Sequence, residues 1–385
     1  MRIALVCNYA PDRQQSMLRF GEMLRSCWLE RGADVTVLAP QASALARCRR
    51  WRGAAAKWIA YVDKYLLFPR ALARRLREWE RAGGRGVVHV VDHSNAVYVP
   101  QRRAAAPWIV TCHDLLAVRG ALGEDVGHAT SALGRRLQSA IVAGLGRADA
   151  IVCVSSNTLQ DVRQLIVPDR AQIRRSVLLG LSHPYRPVAR EEARARLGAL
   201  GGYDWAKPFL LHVGSNLRRK NKAGVFRVFA RLAERWPGNL VFCGAELPHE
   251  VSAAAAAAGL GGRVFAIPSL ENSQLEAAYS LAHALVFPSL CEGFGWPVIE
   301  AQACGCPVIC SDRTSLPEVG GAAALVHAFE DEAGMAESAL RLAEPALRAG
   351  VIARGHANLR RFDTVGMIDA YAQVYTEALA TCAPQ

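Results

Sequence analysis

The stretch Pro288–Val308, PSLCEGFGWPVIEAQACGCPV, joins a predicted strand to a predicted helix through a glycine loop. The preceding run ALVF (284–287) is typical of a buried strand, and Pro297 suits a first helical turn, where its missing N–H costs nothing. Glycines let the backbone approach a ligand closely. The N–H groups and dipole of the helix N-terminus favour an anion such as a phosphate. The sequence therefore predicts an anion site at this turn.

Two glutamates flank this loop. Glu292 precedes it and Glu300 follows it in the helix, with seven residues between them. Each carboxylate can therefore reach hydroxyl groups on its own side of a diphosphate that is bound at the loop. A nucleotide-sugar carries a ribose on one side of its diphosphate and a sugar on the other, so the pattern favours that ligand. The simpler alternative is an ordinary strand–helix turn with two solvated glutamates.

This stretch and its continuation, ACGCPVICSD and then SLPEVGGAAALV as far as Val326, resemble the signature of retaining glycosyltransferases with the GT-B fold, especially glycosyltransferase family 4. The resemblance implies that Glu300 holds the ribose of the donor and that Glu292 contacts its sugar. It also implies that the loop residues of the motif help to bind the donor. Those residues are Gly293, Phe294 and Gly295.

A basic loop, SNLRRKN (Ser215–Asn221), follows the predicted strand FLLHV. Arg219 and Lys220 stand there just before a helix, where two cations can neutralise a diphosphate and stabilise it as it leaves. They match the family's arginine–lysine pair, and Ser215 is assigned to the donor site with them. Many family members carry a basic or an acidic-proline phrase just ahead of the pair, where this chain has Ser215, Asn216 and Leu217, and Arg218 is the candidate to substitute for it. A basic loop that caps a helix is the simpler alternative.

The chain contains no Asp-x-Asp phrase, which metal-dependent transferases of the other common fold use. We therefore predict that the nucleotide-diphosphate-sugar is a co-substrate and that neither a cofactor nor a metal is needed. By resemblance, the transfer retains the anomeric configuration, and the departing phosphate takes the acceptor proton on the same face.

The first half contributes four further candidates. His113 follows a predicted strand in WIVTCHDLLAVRG, and many family members have a histidine here that contacts the donor sugar near the reacting carbon. His93, in VDHSNA, is a similar strand-end residue and is assigned to the acceptor side or to a structural role. Family members commonly open with a glycine-glycine loop, whereas this chain has NYAPDRQQSM. We therefore expect a specialised acceptor site, with Asp12 and Arg13 as candidates.

The chain of 385 residues alternates short apolar runs with longer amphipathic ones, which predicts a parallel α/β architecture in more than one domain. Prolines collect at residues 178–188, where we place the junction. The predicted fold is GT-B, with two Rossmann-like domains whose parallel sheets face each other across a cleft. We assign residues 1–183 to an acceptor-side domain, 184–363 to a nucleotide-sugar-binding domain, and 364–385 to a helix that crosses back to the first.

The periodicity predicts individual elements as well. The predicted strands are Arg2–Cys7, Asp34–Leu38, Val87–Val91, Trp108–Cys112, Asp149–Val154, Phe209–Val213, Leu240–Cys243, Arg263–Ile267, Ala284–Phe287 and Pro307–Cys310. The predicted helices are Gln15–Glu30, a segment within Leu45–Glu80, His128–Gly146, Asn157–Ile166, Asn221–Trp236, Glu271–Leu281, Pro297–Cys304, Glu330–Leu347 and Thr364–Ala380.

The net charge of +12 is unevenly distributed. Residues 47–85 hold twelve arginines and lysines against three acids, with aromatic residues interleaved. Such a stretch suits an anionic membrane surface or a lipid-phosphate acceptor. The alternative is a solvated basic face on a helix. No nucleic-acid-binding motif accompanies the charge, so no nucleic-acid partner is expected.

No apolar run reaches the length of a membrane span, and the first strand is too short to be a signal peptide. The eleven cysteines are scattered and do not form a disulfide framework. We therefore expect a cytoplasmic protein, with possible peripheral attachment to the inner face of the membrane.

The function that these patterns favour is sugar transfer from a nucleotide-sugar to an acceptor hydroxyl, the acceptor being a glycan or a lipid-linked molecule. Two alternatives remain open: a nucleotide-sugar epimerase of the same fold, and a non-catalytic nucleotide-sugar-binding subunit of a polysaccharide assembly complex. A dehydrogenase is disfavoured, because no G-x-G-x-x-G follows the first strand.

Overall fold

The computed structural model describes residues 1–43, 54–102, 104–125 and 130–382, with the backbone alone at 54–57. These residues form two compact units. The first contains residues 1–122, 130–182 and 364–385, and the second contains residues 123–129 and 183–363. The part of the basic stretch at 47–53 falls outside the described residues.

The first unit contains a parallel sheet of six strands in the order β2-β1-β3-β4-β5-β6. Its strands are β1 Arg2–Val6, β2 Asp34–Leu38, β3 Gly86–Val90, β4 Trp108–Cys112, β5 Ala150–Cys153 and β6 Ile173–Ser176. Every residue of β3, β4 and β5 is buried, which fits central strands covered by helices on both faces.

Helices cover this first sheet. They are α1 Gln15–Glu30, α2 Ala54–Val62, a π-helix Asp63–Leu67, α3 Phe68–Arg81, α4 Leu116–Ala121, α5 Ala132–Arg147, α6 Ser156–Leu165 and the final helix, Thr364–Thr381. In α3, buried Phe68, Leu72, Leu76 and Trp79 form one apolar face, while its arginines are exposed. This spacing is that of an amphipathic helix on a sheet.

The second unit repeats the architecture with strand order β12-β11-β10-β7-β8-β9. Its strands are β7 Phe209–Val213, β8 Asn239–Cys243, β9 Val264–Ile267, β10 Ala284–Phe287, β11 Val308–Ser311 and β12 Leu325–His327. Its helices are α7 Arg190–Leu197, α8 Lys222–Leu232, α9 His249–Ala257, α10 Asn272–Leu281, α11 Trp296–Ala303, α12 Leu316–Gly320, α13 Glu332–Arg341 and α14 Pro345–Asn358.

Each sheet has one place where the chain reverses its direction of strand addition. In the first unit this place lies between β1 and β3, and in the second between β7 and β10. Both pairs are parallel, with Arg2 opposite Gly86 and Ala284 opposite Leu210. Open α/β sheets bind ligands outside the carboxyl ends of their strands at such a point. Ligand binding is therefore expected at the loops after these four strands.

All of the predicted strands are confirmed, with bounds shifted by one residue at most, and two strands of the described chain were missed. Strand β6 (IRRS) is polar and half-exposed, and β12 has only three residues, none of them fully buried. Neither carries the buried apolar run of a central strand, because both lie at a sheet edge.

The single helix predicted at Glu330–Leu347 is wrong: the structure has two helices, and the second begins at Pro345. Proline has no N–H to donate within a helix but is well placed in its first turn. Helices α4, α7, α9 and α12 were missed, although the alanine run of α9 is a strong helix former. All four are short, with at most nine residues, so the apolar face of each has few positions to reveal it.

The final helix packs within the first unit through a buried polar network. The hydroxyl of Tyr375 lies 2.6 Å from Nδ1 of His89, and Nε2 of His89 lies 2.8 Å from Oγ1 of Thr111. The same Oγ1 lies 2.9 Å from the hydroxyl of Tyr371. Trp28 stacks on Tyr375 from α1. Each polar side chain of this network has a partner, so the network fixes how the helix sits on the sheet.

Within the described ranges, no helix combines the length and the apolar character needed to cross a membrane.

Candidate active site

Arg219 and Lys220 lie at the carboxyl edge of β7, in a short 3-10 turn that ends at Asn221. Asn221 takes a left-handed conformation (φ 51°), and its side chain accepts a hydrogen bond from the N–H of Gly224. Its amide also donates to the carbonyl of Pro288, 3.0 Å away. Asn tolerates this conformation better than most residues and caps a helix well. Asn221 therefore ends the basic loop and ties it to the motif loop after β10.

The motif loop supplies Glu292, which meets both cations. Nζ of Lys220 lies 2.6 Å from one carboxylate oxygen of Glu292, and a guanidinium nitrogen of Arg219 lies 2.7 Å from the other. Arg219 also donates to the carbonyl of Cys291 at 3.1 Å. The two loops are joined a second time where the N–H of Leu290 donates to the carbonyl of Arg219. A cation pair and a carboxylate that are far apart in the chain thus converge at the reversal between β7 and β10.

The cluster is deeply buried, since Glu292 is 5% exposed and Lys220 is 9% exposed. Burial acts to raise the pKa of Glu292, but the charges and hydrogen bonds of Lys220 and Arg219 outweigh it and hold that pKa below its usual range. Burial lowers the pKa of Lys220, and the neighbouring charge of Arg219 acts in the same direction, against Glu292. Two cations thus share a single carboxylate.

Two hydroxyl side chains form hydrogen bonds with the backbone of the glycine loop. The N–H of Glu292 donates to Oγ1 of Thr314, at 2.9 Å. The hydroxyl of Ser315 lies 3.0 and 2.8 Å from the carbonyl oxygens of Glu292 and Phe294. These contacts fix the backbone of the loop on both sides of Gly293.

Gly295 cannot be replaced without strain at the end of this loop. Its φ is 101°, and a Cβ on it would lie 2.9 Å from a side-chain carbon of Leu316. The backbone angle is what requires a glycine here, because the contact with Leu316 is with the end of a flexible side chain. The conformation lets the chain turn directly into α11, whose first turn holds Pro297.

Glu300 lies inside α11 and is 4% exposed. One of its carboxylate oxygens accepts a hydrogen bond from the hydroxyl of Tyr279, at 2.9 Å. Burial, followed by the charge of Glu300, raises the pKa of Tyr279 well above its usual range, so the phenol remains a donor. Tyr279 was missed by the sequence reasoning, because it lies on α10 outside the motif and nothing in its neighbourhood indicates the contact.

The remaining donor-site candidate in this unit, Ser215, lies in the loop after β7 and is exposed. Further along this loop, Asn216 accepts a hydrogen bond from Lys222, at 2.8 Å, and donates to the carbonyl of Glu246, at 3.0 Å. These contacts connect the loops after β7 and β8. The structure thus places all the predicted donor-site residues of the second half along one edge of the second sheet.

The four candidates of the first half lie in the first unit, around the reversal between β1 and β3. His113 is 6% exposed, and its Nε2 lies 2.9 Å from the carbonyl oxygen of Val91. Its backbone N–H points to Nδ1 of His93, at 3.4 Å. Burial lowers the pKa of His113, which keeps the imidazole neutral near neutral pH.

Asp92 organises this second cluster, although only its neighbour His93 was predicted. Its carboxylate accepts hydrogen bonds from the amide of Asn8 and from the N–H and hydroxyl of Ser94, and it lies 3.3 Å from Nδ1 of His93. Burial acts to raise the pKa of Asp92, but His93, His113 and these hydrogen bonds outweigh it and hold the pKa below its usual range. The sequence signal that could have identified Asp92 is its position in VDHSNA, directly after a predicted strand.

Asp12 and Arg13 lie in the loop after β1 and are both exposed. The Asp12 carboxylate forms an ion pair with Lys64, at 2.6 Å. Arg13 takes a left-handed conformation, with φ 53°.

Both halves of the chain match models of known protein families. The model of glycosyl transferases group 1 matches residues 203–345, and that of Glycosyltransferase Family 4 matches residues 20–174. A D-inositol 3-phosphate glycosyltransferase of Saccharomonospora viridis is 30% identical over 310 residues, covering 74% of this chain and 67% of its own. The chain belongs to the group 1, or family 4, glycosyltransferases.

Other family members match over shorter parts of their length. The O-antigen chain mannosyltransferase B of Escherichia coli is 40% identical over 105 residues, which cover 26% of this chain and 28% of its own. A D-inositol 3-phosphate glycosyltransferase of Acidothermus cellulolyticus is 29% identical over 307 residues, covering 73% of this chain. The chain spans 64% of the length of that relative.

Solved structures agree on the fold. The sucrose-phosphate synthase from Thermosynechococcus elongatus superimposes with a TM-score of 0.75 at 20% identity, covering 99% of this chain and 100% of its own. The predicted GT-B class, with two Rossmann-like domains, is therefore confirmed.

Proposed function

We propose that this glycosyltransferase moves a hexosyl group from a nucleotide-diphosphate-sugar to an acceptor hydroxyl, with retention of configuration and without a metal. The observation that carries the proposal is the convergence of Arg219, Lys220 and Glu292 at the strand reversal of the second unit. Two cations beside a glycine loop and a helix N-terminus form a favourable place for a diphosphate.

The residues divide the work by their chemistry. Arg219 and Lys220 donate to the diphosphate and stabilise the charge that grows on it as the bond to the sugar breaks. Glu292 accepts from hydroxyls of the sugar, and Glu300, oriented by Tyr279, accepts from those of the ribose.

The transfer breaks the bond between the anomeric carbon and the phosphate oxygen and the O–H bond of the acceptor, and it forms two bonds in their place. The acceptor oxygen bonds to the anomeric carbon on the face that the phosphate leaves, and the acceptor proton passes to the departing phosphate oxygen. His113 is assigned to the donor sugar, and His93 to the acceptor side.

The first experiment is a thermal-shift panel of nucleoside diphosphates and nucleotide-sugars. A ligand that binds only the folded state must raise its stability, by about 2.7 kcal/mol at a hundredfold excess over Kd. At least one nucleoside diphosphate should stabilise the wild type and fail to stabilise the Arg219→Ala, Lys220→Ala double variant. Equal stabilisation of both proteins contradicts the assignment.

Transfer assays with the selected donor then separate the alternatives. Activity should survive EDTA, and abolition by EDTA with rescue by a divalent metal refutes the metal-free mechanism. Conversion of the donor into its epimer in the absence of an acceptor indicates an epimerase instead. Donor binding with neither reaction, over a panel of acceptors, indicates a binding subunit.

We further propose that the first unit rests on an anionic membrane surface. Trp58, Val62 and Leu66 stand four residues apart and are 62%, 43% and 49% exposed. The following helix, α3, exposes Arg70, Arg74, Arg75, Arg77 and Arg81. Exposed apolar side chains beside arginines suit a headgroup layer, where each basic residue contributes about 1 kcal/mol.

Vesicle co-sedimentation tests this surface. The protein should pellet with phosphatidylglycerol vesicles at low salt and be released as salt rises. Leu66→Asp should abolish pelleting, whereas Val167→Asp, which adds the same charge at a residue that is 82% exposed, should not. Equal binding to neutral vesicles, or none to anionic ones, indicates a solvated face and a soluble acceptor.

A further inference from the structure

A cluster of tyrosines surrounds the ion pair of Asp12 and Lys64 in the first unit. Nζ of Lys64 lies 5.9, 5.5 and 5.6 Å from the ring centroids of Tyr9, Tyr61 and Tyr65. These distances are those of cation–π contacts. The rings of Tyr61 and Tyr65 are themselves 5.5 Å apart and tilted by 31°.

A π-helix creates this arrangement. In the segment Asp63–Leu67, the N–H of Phe68 bonds to the carbonyl of Asp63, five residues back. Such wide turns are rare and occur frequently at functional sites. The carbonyl of Lys64, within the same segment, accepts from the hydroxyl of Tyr98, at 3.0 Å.

The cluster is anchored to the carboxyl edge of the first sheet. Asp63 is 1% exposed and accepts from the hydroxyl of Tyr9, at 2.6 Å, and from the N–H of Ser43. Tyr9 follows β1, and Ser43 follows β2. The other oxygen of Asp63 has no hydrogen-bond partner among the described residues. The cluster therefore contains an unsatisfied buried acceptor beside its tyrosines.

We propose that Tyr61, Tyr65, Asp12 and Lys64 form the acceptor subsite and that it takes an uncharged sugar or polyol ring. This inference rests on the proposed function. Tyrosine rings offer apolar faces on which the C–H face of a sugar ring can pack, and the ion pair offers both an acceptor and a donor to its hydroxyls. The partly exposed ion pair, 18% at Lys64 and 28% at Asp12, is accessible to such a ring.

The charges of the cluster argue for a neutral ring over a phosphate. Lys64 is already paired with Asp12 at 2.6 Å, and buried Asp63 adds a second carboxylate. A phosphate would have to displace Asp12 and would meet two like charges. A hydroxyl can bond to both members of the ion pair without breaking it.

Saturation-transfer NMR with methyl α-mannoside, methyl α-glucoside and myo-inositol tests the proposal. At least one probe should show ring-proton signals with the wild type. Tyr61→Ala and Tyr65→Ala should each weaken its binding about three- to tenfold, while Tyr65→Phe, which keeps the ring, should bind like the wild type. Val167→Ala, which truncates an apolar side chain that is 82% exposed between α6 and β6, is the control.

Binding of the selected nucleoside diphosphate is measured in parallel on every variant. It should remain unchanged, which shows that the second unit is folded and separates this proposal from the proposed function, and an unchanged urea unfolding transition shows that the first unit is folded as well. Absence of signal from all three probes overturns the subsite, as does equal binding by the wild type and the Tyr61→Ala, Tyr65→Ala double variant. Tighter binding of glucose 6-phosphate than of methyl α-glucoside, lost in Lys64→Met, assigns the site to a phosphate and also overturns the proposal.

Discussion

At the strand reversal of the first unit, a buried carboxylate, Asp92, accepts hydrogen bonds from Asn8 and Ser94 and faces His93. At the same place in the second unit, a buried carboxylate, Glu292, is shared by Arg219 and Lys220. The two units have the same parallel strands and the same kind of strand reversal. The partners of the buried carboxylate, however, are neutral or weakly basic in the first unit and permanently cationic in the second. The topology provides a place for a ligand, and the side chains decide its charge.

The largest expected effect is on catalysis in the second unit. Lys220→Met keeps the apolar stem and removes the ammonium that we assign to the leaving diphosphate. Loss of one such preorganised donor costs about 10²–10³ in kcat. The measurement is the initial rate of transfer at saturating donor. Arg227→Ala, which removes an exposed cation from α8, should stay within about twofold, as expected for a surface pair. If Lys220→Met and Arg227→Ala transfer at similar rates, the role assigned to Lys220 at the leaving diphosphate is wrong.

The next effect tests the difference in charge between the surroundings of Glu292 and those of Asp92. Glu292→Gln leaves two cations without their shared carboxylate and should destabilise the protein by about 3 kcal/mol. A nucleoside diphosphate should then raise the Tm of this variant by more than it raises that of the wild type, because the anion replaces the lost charge. Asp92→Asn in the first unit, measured in the same way, should show no such gain. If the extra rise in Tm is seen in both variants, or in neither, the two units do not differ in their response to a diphosphate.

A smaller effect, on the free energy of unfolding, is expected when either of two buried histidines is replaced. His89 has polar partners at both ring nitrogens, whereas His212 bonds to the carbonyl of Val286 through Nδ1, and its Nε2 has no partner among the described residues. His89→Phe should cost about 2–3 kcal/mol, because Thr111 and Tyr375 each lose a hydrogen bond, and His212→Phe about 1 kcal/mol. Urea unfolding midpoints measure both. Equal losses would show that the network around His89 adds nothing.

The same histidines make stability depend on pH. Burial lowers the pKa of both His89 and His212 from 6.5 to about 3. The unfolded chain therefore binds more protons below pH 6.5, so their contribution to stability is complete above that pH and falls as pH drops toward about 3. Each histidine contributes a slope of about 1.4 kcal/mol per pH unit in that window. Unfolding midpoints between pH 7 and 5 should fall less steeply in His212→Phe than in the wild type.

Much of the fold could be predicted because central parallel strands are continuous apolar runs, such as ALVF before the motif, and because glycine and proline mark the turns between elements. The edge strands β6 and β12 escaped, since a polar or very short strand lacks that pattern. Helix ends were predicted less well where a proline starts a second helix, as at Pro345.

For the site, the sequence by itself determined which residue types follow the strands: Glu292, the arginine–lysine pair and the two histidines after strand ends, and Glu300 in the helix after the motif loop. Local spacing suffices for that, because each lies a short distance along the chain from its own strand. Only the tertiary structure decided that Lys220 and Glu292 meet, that Tyr279 orients Glu300, and that Lys64 joins Asp12 among tyrosines. These contacts depend on strand order and on a π-helix, which bring together residues far apart in the chain and leave no periodic pattern to read.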